Sequence, residues 1–279
     1  MTIPSFRKMF LLSALDQQLP FYVESIGIMS HQENIYRNEG YPYFHWLQTI
    51  DGEGEFTFGN ERFLLPTNQG ILLIPHIPHY YEARTPVWTT MYITFGGDQI
   101  QSILTSLGLH LSSLYKWEEQ SPLATILERI LDKIKIDSDF SELDCSIELY
   151  QFLICLKKYG QTNNQTSLSR LYSRLKPLLN WLDEVCRDEN ITLDTMAQRV
   201  HMSPQHLNKL FRSTFGISPY SYLIRLRIQK SKEALVAQRQ TSIKEIAKDV
   251  GFLDVSHFTA TFRKTVGMTP DQFRKLHTS

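Results

Sequence analysis

Four side chains in the last third of the 279-residue chain recur at a spacing that lines them up. Gln205, Asn208, Lys209 and Arg212 fall at i, i+3, i+4 and i+7, one face of an α-helix. Leu207, Leu210, Phe211 and Phe215 make a second stripe, which is apolar and must face a core. Gln and Asn carboxamides pair bidentately with the edge of adenine, and a Lys ammonium reaches guanine. Arg212 lies later on the helix, where a guanidinium suits phosphate. A polar stripe by itself is an ordinary solvated helix face, so the weight of the reading rests on repetition.

The stripe does repeat. Leu193, Met196, Ala197 and Val200 correspond to Ile243, Ile246, Ala247 and Val250 at an offset of fifty residues. After one extra residue, Leu207, Phe211, Arg212, Gly216 and Pro219 correspond to Phe258, Phe262, Arg263, Gly267 and Pro270. Such self-similarity marks a repeated supersecondary unit. Each copy reads as helix, short turn, helix. The Ala sits where two helices cross closely. Ser203 is the expected cap of the second helix, with Pro204 at its first position, and Asp254 is the expected cap in the other copy. Gly216 and Gly267 stand where a left-handed residue ends a helix. The stripe of the second copy is Ser256, Thr259, Ala260 and Arg263, with His257 alongside. It is small and short of strong donors. Residues 219–238 between the copies read as one connecting helix. Arg225, Arg227, Lys230 and Lys232 make that helix basic, which suits a place near a phosphate backbone.

Charge supports a polyanionic partner. The chain as a whole is neutral, but from Arg174 onward it holds 17 Lys and Arg against 10 Asp and Glu, a net of +7. The first 173 residues hold 12 against 19, a net of −7. This split predicts a basic domain for nucleic acid and an acidic domain with another task. No apolar run reaches the roughly 18 residues that span a bilayer. No signal-peptide cleavage pattern follows the short apolar patch at the N-terminus. Cys145, Cys155 and Cys186 are odd in number and lack metal-like spacing, so they read as reduced, buried thiols of a cytoplasmic protein.

The front of the chain has another texture. Residues 46–50, 55–58, 71–75 and 90–95 read as strands, with turns at 51–54 and 59–60. Many short strands at close spacing predict a barrel or sandwich. In 88–95, Trp88, Thr90, Tyr92 and Thr94 share one face, and Met91, Ile93 and Phe95 the other. Aromatics and hydroxyls inside a barrel suit a sugar, or simply fill the barrel with their polar tips satisfied. His45, His76 and His79 lack the paired His-x-His with a following Glu of a metal-binding barrel, and no metal is expected. His79 is expected to hydrogen-bond at the barrel mouth. No nucleophile elbow, P-loop or paired carboxylates are found, so no catalytic residue and no cofactor are expected.

From about 122 to 159 the period becomes helical. Leu123, Ile126, Leu127, Ile130, Leu131 and Ile134, then Leu149, Phe152, Leu153 and Leu156, form apolar stripes that either pair with a second copy or pack on the barrel. Residues 160–169 are polar and mark a linker. Pro177 is expected in the first turn of the helix that follows, with Leu178, Leu179, Trp181, Leu182 and Val185 as its apolar face.

Over about 172–279 the chain resembles the AraC/XylS family of transcription activators. The resemblance is carried by the tandem motifs, the two endings Phe-Arg-x-x-x-Gly-x-(Ser or Thr)-Pro, and the runs 243–247 and 249–252. It implies two reading helices entering successive major-groove segments, with the connecting helix setting their spacing. The family's base-reading positions then fall on Gln205, Asn208 and Lys209, and on Ser256, His257 and Ala260. The resemblance extends to the front through Arg37–Gly40, Thr49–Gly54 and Gly70–Tyr81, which are similar to the family's sugar-sensing cupin domain. It implies that Arg37, Tyr81 and Tyr92 contact sugar, with Thr90 standing where the arabinose-responsive member has a histidine. Counting the two neighbouring histidines, the expected ligand site is Arg37, His45, His79, Tyr81, Thr90 and Tyr92. The expected DNA-contacting set is Gln205, Asn208, Lys209, Arg212, Ser256, His257, Thr259, Ala260 and Arg263.

The expected fold is α+β: a cupin-like β-barrel with following helices over 1–160, a linker at 161–171, and an all-α domain with two helix-turn-helix motifs over 172–279. The expected function is a sequence-specific, sugar-responsive regulator that activates carbohydrate-utilisation genes as a homodimer. An activator would also meet RNA polymerase. The alternatives are a metal-dependent cupin enzyme with a DNA-binding tail, or a regulator controlled by a protein partner. The N-terminal arm, residues 1–20, is expected to close over a filled pocket through Phe6, Phe10, Leu11 and Leu12.

Overall fold

The computed structural model describes residues 4–14, 16–136, 142–162 and 165–278. The chain divides between Ser169 and Arg170 into two compact units. Residues 1–3 and 15 of the expected arm, 137–141 within the expected helical pair, and 163 and 164 of the expected linker lie outside the described residues.

The first unit runs β1 (Phe6–Met9), β2 (Tyr22–Met29), β3 (Ile35–Arg37), β4 (Phe44–Asp51), β5 (Glu53–Phe58), β6 (Glu61–Pro66), β7 (Gln69–Leu73), β8 (His79–Ala83), β9 (Thr89–Gly96), α1 (Ile100–Leu107), β10 (Ser113–Lys116), a 3-10 turn at Pro122–Ala124, α2 (Ile126–Ile136) and α3 (Glu142–Tyr159). The strands form a six-stranded sheet ordered β1-β2-β9-β4-β7-β10 and a four-stranded sheet ordered β3-β8-β5-β6. The four predicted strand segments fall on β4, β5, β7 and β9.

The period of two along a strand sorts the large sheet's residues onto two faces. Phe44, Trp46, Met91, Ile93 and Phe95 point to the helices and share one buried cluster with Leu127, Ile130, Leu131, Leu149, Phe152 and Leu156. The other face carries Leu47, Ile71, Leu73 and Tyr92, which meet Phe56, Leu65 and Tyr81 of the small sheet. The stripes of α2 and α3 are therefore spent on this unit's own sheet rather than on a second copy. A different row on α3, Leu143, Ile147 and Tyr150, stays exposed. The arm behaves otherwise than its apolar residues suggested. Phe6 and Phe10 pack against the helix-side cluster, and Leu11 is exposed. β1 pairs with β2, with Arg7 opposite Gly27, so alternation turns Arg7 and Met9 toward the other face.

The second unit is helical. α4 (Leu168–Val185) is followed by α5 (Leu193–Arg199), α6 (Pro204–Phe215), α7 (Pro219–Ala237), α8 (Ile243–Asp249), α9 (Val255–Val266) and α10 (Pro270–Thr278). Pro177 lies inside α4, not in its first turn. A proline in a helix interior costs about 3 kcal/mol. Burial of Leu175, with Leu171 packed beside it, offsets that cost and keeps the helix continuous upstream. All three cysteines are buried thiols outside any disulfide, and burial pushes the Cys155 thiol up to about 11. Among the described residues no helix is long and apolar enough to cross a membrane.

The two copies of the repeat share their caps, crossing residue and turn bond. Ala197 and Ala247 are each 1 % exposed where their helices cross. Ser203 caps α6 by accepting from the His206 amide, and Asp254 caps α9 by accepting from the His257 amide at 2.6 Å. Met202 N donates to Ala197 O at 3.0 Å, and Phe252 N to Ala247 O at 2.9 Å. Both turns pass through a left-handed residue, His201 in one and Gly251 in the other. Each copy has its own buried cluster, one around Met196 and Phe211, the other around Ile246 and Phe262.

α7 joins them, and its basic residues are not all outward. Arg227 is 4 % exposed. It donates to Cys186 O at 2.8 Å and Asp188 O at 2.7 Å. Lys230 pairs with Asp183 at 3.0 Å. Half of the basic stripe expected near phosphates thus holds the unit together, and the end of α4 presents orphan carbonyls that explain why. Arg227→Met should cost about 1–3 kcal/mol by leaving the buried Cys186 carbonyl unpaired and returning the exposed Asp188 carbonyl to water. Urea unfolding of the chain measures it, and a loss below about 0.5 kcal/mol would show that water replaces the guanidinium.

Candidate functional site

α6 presents the expected stripe to solvent. Gln205, Lys209 and Arg212 are exposed and Asn208 half-buried. Its apolar stripe, Leu207, Leu210 and Phe211, is buried. In α9 the same construction buries Phe258 and Phe262 and exposes Ser256, His257, Ala260 and Arg263. The second face has less to offer. Thr259 is half-buried and its hydroxyl donates to Val255 O at 2.8 Å. The His257 ring lies against Phe252, 5.6 Å between centroids. Ala260 carries no donor, which leaves Ser256, the ring nitrogens of His257 and Arg263.

The first unit encloses a cavity of about 90 Å³ between its sheets, lined in part by Arg7, Arg37, His45, Tyr81 and Tyr92. Register explains the assembly. Met9, Ser25, Thr94, His45 and Leu73 follow one another across β1, β2, β9, β4 and β7, and Arg7, Gly27, Tyr92, Leu47 and Ile71 form the next rung. Opposite them, Arg37 pairs with His79 and Ile35 with Tyr81. Gly27 is required where it stands. A Cβ there would lie 2.7 Å from Phe6 O and 2.8 Å from Tyr92 Cε1, so the glycine lets the Tyr92 ring lie against the sheet.

The polar groups are arranged with care. His79 Nδ1 donates to Ile77 O at 2.7 Å, which leaves Nε2 bare, 3.5 Å from Arg37 Nη1. The Arg37 guanidinium also lies 4.4 Å from the Tyr41 ring centroid, a cation–π distance. His45 is 3 % exposed, and neither ring nitrogen has a hydrogen-bond partner. Burial, then the Arg37 charge and His79, hold its pKa well below 6.5. Burial lowers His79 too, against its bond to Ile77. Both rings are neutral at pH 7. Burial pushes the Tyr81 phenol up to about 12. Glu24 accepts from Thr94 Oγ1 at 2.5 Å and Tyr41 Oη at 3.3 Å.

Of the six expected ligand-site residues, Arg37, His45, Tyr81 and Tyr92 reach the cavity wall. His79 stands behind Arg37. Thr90 is buried and donates to Gln32 Oε1 at 2.6 Å, and Gln32, not Thr90, lines the cavity.

Comparison with known proteins follows both halves of this geometry. A model of the AraC-like ligand binding domain matches residues 23–153, and a helix-turn-helix domain model matches residues 196–276. The chain belongs to the AraC family of transcription regulators. It is 24% identical over 231 residues to the Msm operon regulatory protein of Streptococcus mutans, covering 81% of this chain and 82% of that protein. It is 24% identical over 242 residues to the transcriptional activator RhaS of Escherichia coli, covering 83% and 85%. Among solved structures it is similar to the C-terminal domain of the response regulator yesN from Fusobacterium nucleatum. There the identity is 31%, over 37% of this chain and 98% of that one, with a TM-score of 0.35. As an AraC-family regulator the chain is a DNA-binding transcription regulator with a cupin-like domain ahead of its helix-turn-helix domain.

Sequence reasoning missed Arg7, Ser25, Gln32 and Tyr41 at the cavity of this AraC-family chain. Arg7 faces the cavity only because residues 6–9 pair with β2, a partner some twenty residues away in the chain. Two measurements probe the cavity. Since the folded-state pKa values of His45 and His79 are depressed, the unfolded chain binds protons first as pH falls below 6.5. Stability is then lost toward acid at up to about 1.4 kcal/mol per pH unit per histidine. Urea midpoints between pH 7.5 and 5.5 should show this slope, and His45→Asn should flatten it. An unchanged slope in that variant would place the sensitivity elsewhere. Gly27→Ala should cost about 1–3 kcal/mol by forcing Tyr92 or β1 aside, and a thermal melt matching the parent would show that β1 simply shifts.

Proposed function

We propose that this regulator reads duplex DNA with α6 and α9 and answers to a small sugar-like ligand in the cavity of its first unit. What carries the reading is the α6 face. Gln205, Asn208, Lys209 and Arg212 lie in one row with no hydrogen bond or ion pair to the described residues, in a half of the chain with net charge +7. A cation left unpaired at a capped, rigid helix suits contact with an external anion.

The roles divide by position. Gln205, Asn208 and Lys209 take base edges, and Arg212 takes phosphate. In the second copy Ser256 and His257 stand near the bases and Arg263 meets phosphate, with Thr259 and Ala260 shaping the face against thymine methyls. α6 therefore supplies most of the sequence discrimination. The ligand set is Arg37, His45, Tyr81 and Tyr92 on the wall, with His79 holding Arg37 and Thr90 holding Gln32. The similar RhaS is named as an activator, and we extend that role to this chain, with RNA polymerase as partner and the cytoplasm as site of action. The exposed row Leu143, Ile147 and Tyr150 on α3 is the face through which a homodimer forms. Two tethered reading units then bind at high effective concentration.

Binding of the full chain to a selected operator should fall steeply with salt. Lys209→Ala should cost about 1–3 kcal/mol and relax preference at one base step, whereas Arg212→Ala should weaken operator and random duplex alike. Equal losses on both duplexes for Lys209→Ala would remove its base contact. Ile147→Glu should convert the dimer to monomer in sedimentation, and a monomeric parent at micromolar concentration would remove the dimer.

A further inference from the structure

Two guanidiniums converge on the cavity. Arg37 reaches it from β3 and Arg7 from β1, and neither makes an ion pair among the described residues. Among the described residues no acid lines the cavity, and Glu24 stands directly behind the wall, accepting from the lining Thr94 and Tyr41. His45 and His79 are neutral by burial. The wall therefore carries two positive charges against one negative, a surplus of one.

Arg37 is held for bonding elsewhere. Its guanidinium lies against the Tyr41 ring and the bare nitrogen of His79, contacts that fix its plane and leave its charge uncompensated. Arg7 lies 5.8 Å from the Tyr92 ring centroid and stands exposed on the edge strand, at the entrance. Unpaired arginines at a small cavity are matched by a carboxylate or phosphate, which accepts from the fork of N–H groups.

The buried imidazole adds a second requirement. Neutral His45 has one N–H and one bare nitrogen, and both are unpartnered inside the wall. A buried polar atom left so costs about 1–3 kcal/mol. A simple anion satisfies the N–H only. A hydroxyl both donates and accepts, so it can answer the bare nitrogen as well. Size sets the third requirement, since about 90 Å³ is the room of roughly three waters at their liquid volume, which suits a three- or four-carbon molecule and is less than a hexose needs.

We infer that the effector is a short polyhydroxy carboxylic acid, a three- or four-carbon aldonic acid, with its carboxylate between Arg7 and Arg37 and a hydroxyl on His45. This rests on the cavity being the effector site. One negative charge balances the surplus. A phosphate monoester, closer to two charges at pH 7, would leave Glu24 facing uncompensated negative charge. Arg7 makes the site depend on the N-terminal strand, because the acid is gripped only while β1 is paired to β2.

The test uses the full chain and matched ligands: glycerol, glycerate and glycerol 3-phosphate, then erythritol, erythronate and erythritol 4-phosphate, with galactose, galacturonate and galactose 6-phosphate as the oversized set. Calorimetry and thermal shift are read together. An acid should bind at least about tenfold more tightly than its neutral partner, and Arg7→Gln and Arg37→Gln should each lose about tenfold or more, the value of a charge-assisted bond. Arg7 is exposed, so its variant keeps the test alive if Arg37→Gln unfolds. A neutral polyol binding as well as its acid, with Arg37 still required, overturns the charge assignment and keeps the sugar reading. Tighter binding of the phosphate ester overturns the carboxylate. Acid binding that survives both substitutions overturns the site, and binding by nothing in the series overturns both this inference and the sugar reading.

Discussion

The register of one strand governs the first unit. β9 lies between β2 and β4 in the middle of the large sheet, and its alternation is the boundary between two chemistries. Met91, Ile93 and Phe95 go to the helices, and Tyr92 and Thr94 go to the cavity. A slip of one residue would exchange the sets. Hydroxyls would enter an apolar core without partners, and the cavity would be plugged with aliphatic carbon. The neighbours lock the register from both sides. Gly27 admits the Tyr92 ring on one flank, and on the other Trp88 Nε1 donates to Thr49 Oγ1, which donates to Leu65 O. Polar function and apolar stability share a single backbone, so neither can be changed by shifting the strand.

The second unit uses repetition instead. Two separately cored helix pairs carry the same caps, the same buried alanine and the same turn bond. What differs is the outward face. α6 carries amide and cationic groups, while the hydroxyl and ring of α9 are largely engaged within the helix and its turn. The scaffold is duplicated and the chemistry of the outward faces is not.

Much of this was legible in the residues. The repeat announced itself because caps, glycines and the small crossing residue are local, short-range signals. The strand faces of 88–95 were legible because alternation needs no partner to be read. Arg7 was not, because nothing local shows that residues 6–9 will find an edge on β2, some twenty residues on. Pro177 misled because its local preference for a first turn is weaker than the burial of Leu175 upstream. Arg227 and Lys230 read as basic surface because charge is visible in sequence and a carbonyl or carboxylate partner across the fold is not. The exposed row of α3 was hidden by the stronger stripe beside it, which the sheet consumes.

Arg227 has a meaning beyond the bonds it makes. It grips the chain just after α4, which packs in the buried cluster of the first helix pair, while lying 2.9 Å from where a Gly251 Cβ would stand and 6.0 Å from the Phe252 ring in the turn of the second. One side chain on the connecting helix thus fastens both halves to a common strut. A pair of reading helices fixed this way is a caliper with a set gap. If α6 and α9 read DNA as proposed, the pair accepts a duplex by the distance and angular phase between two marks as much as by the letters at either one, so inserting a base pair between the marks changes the object measured rather than merely one contact.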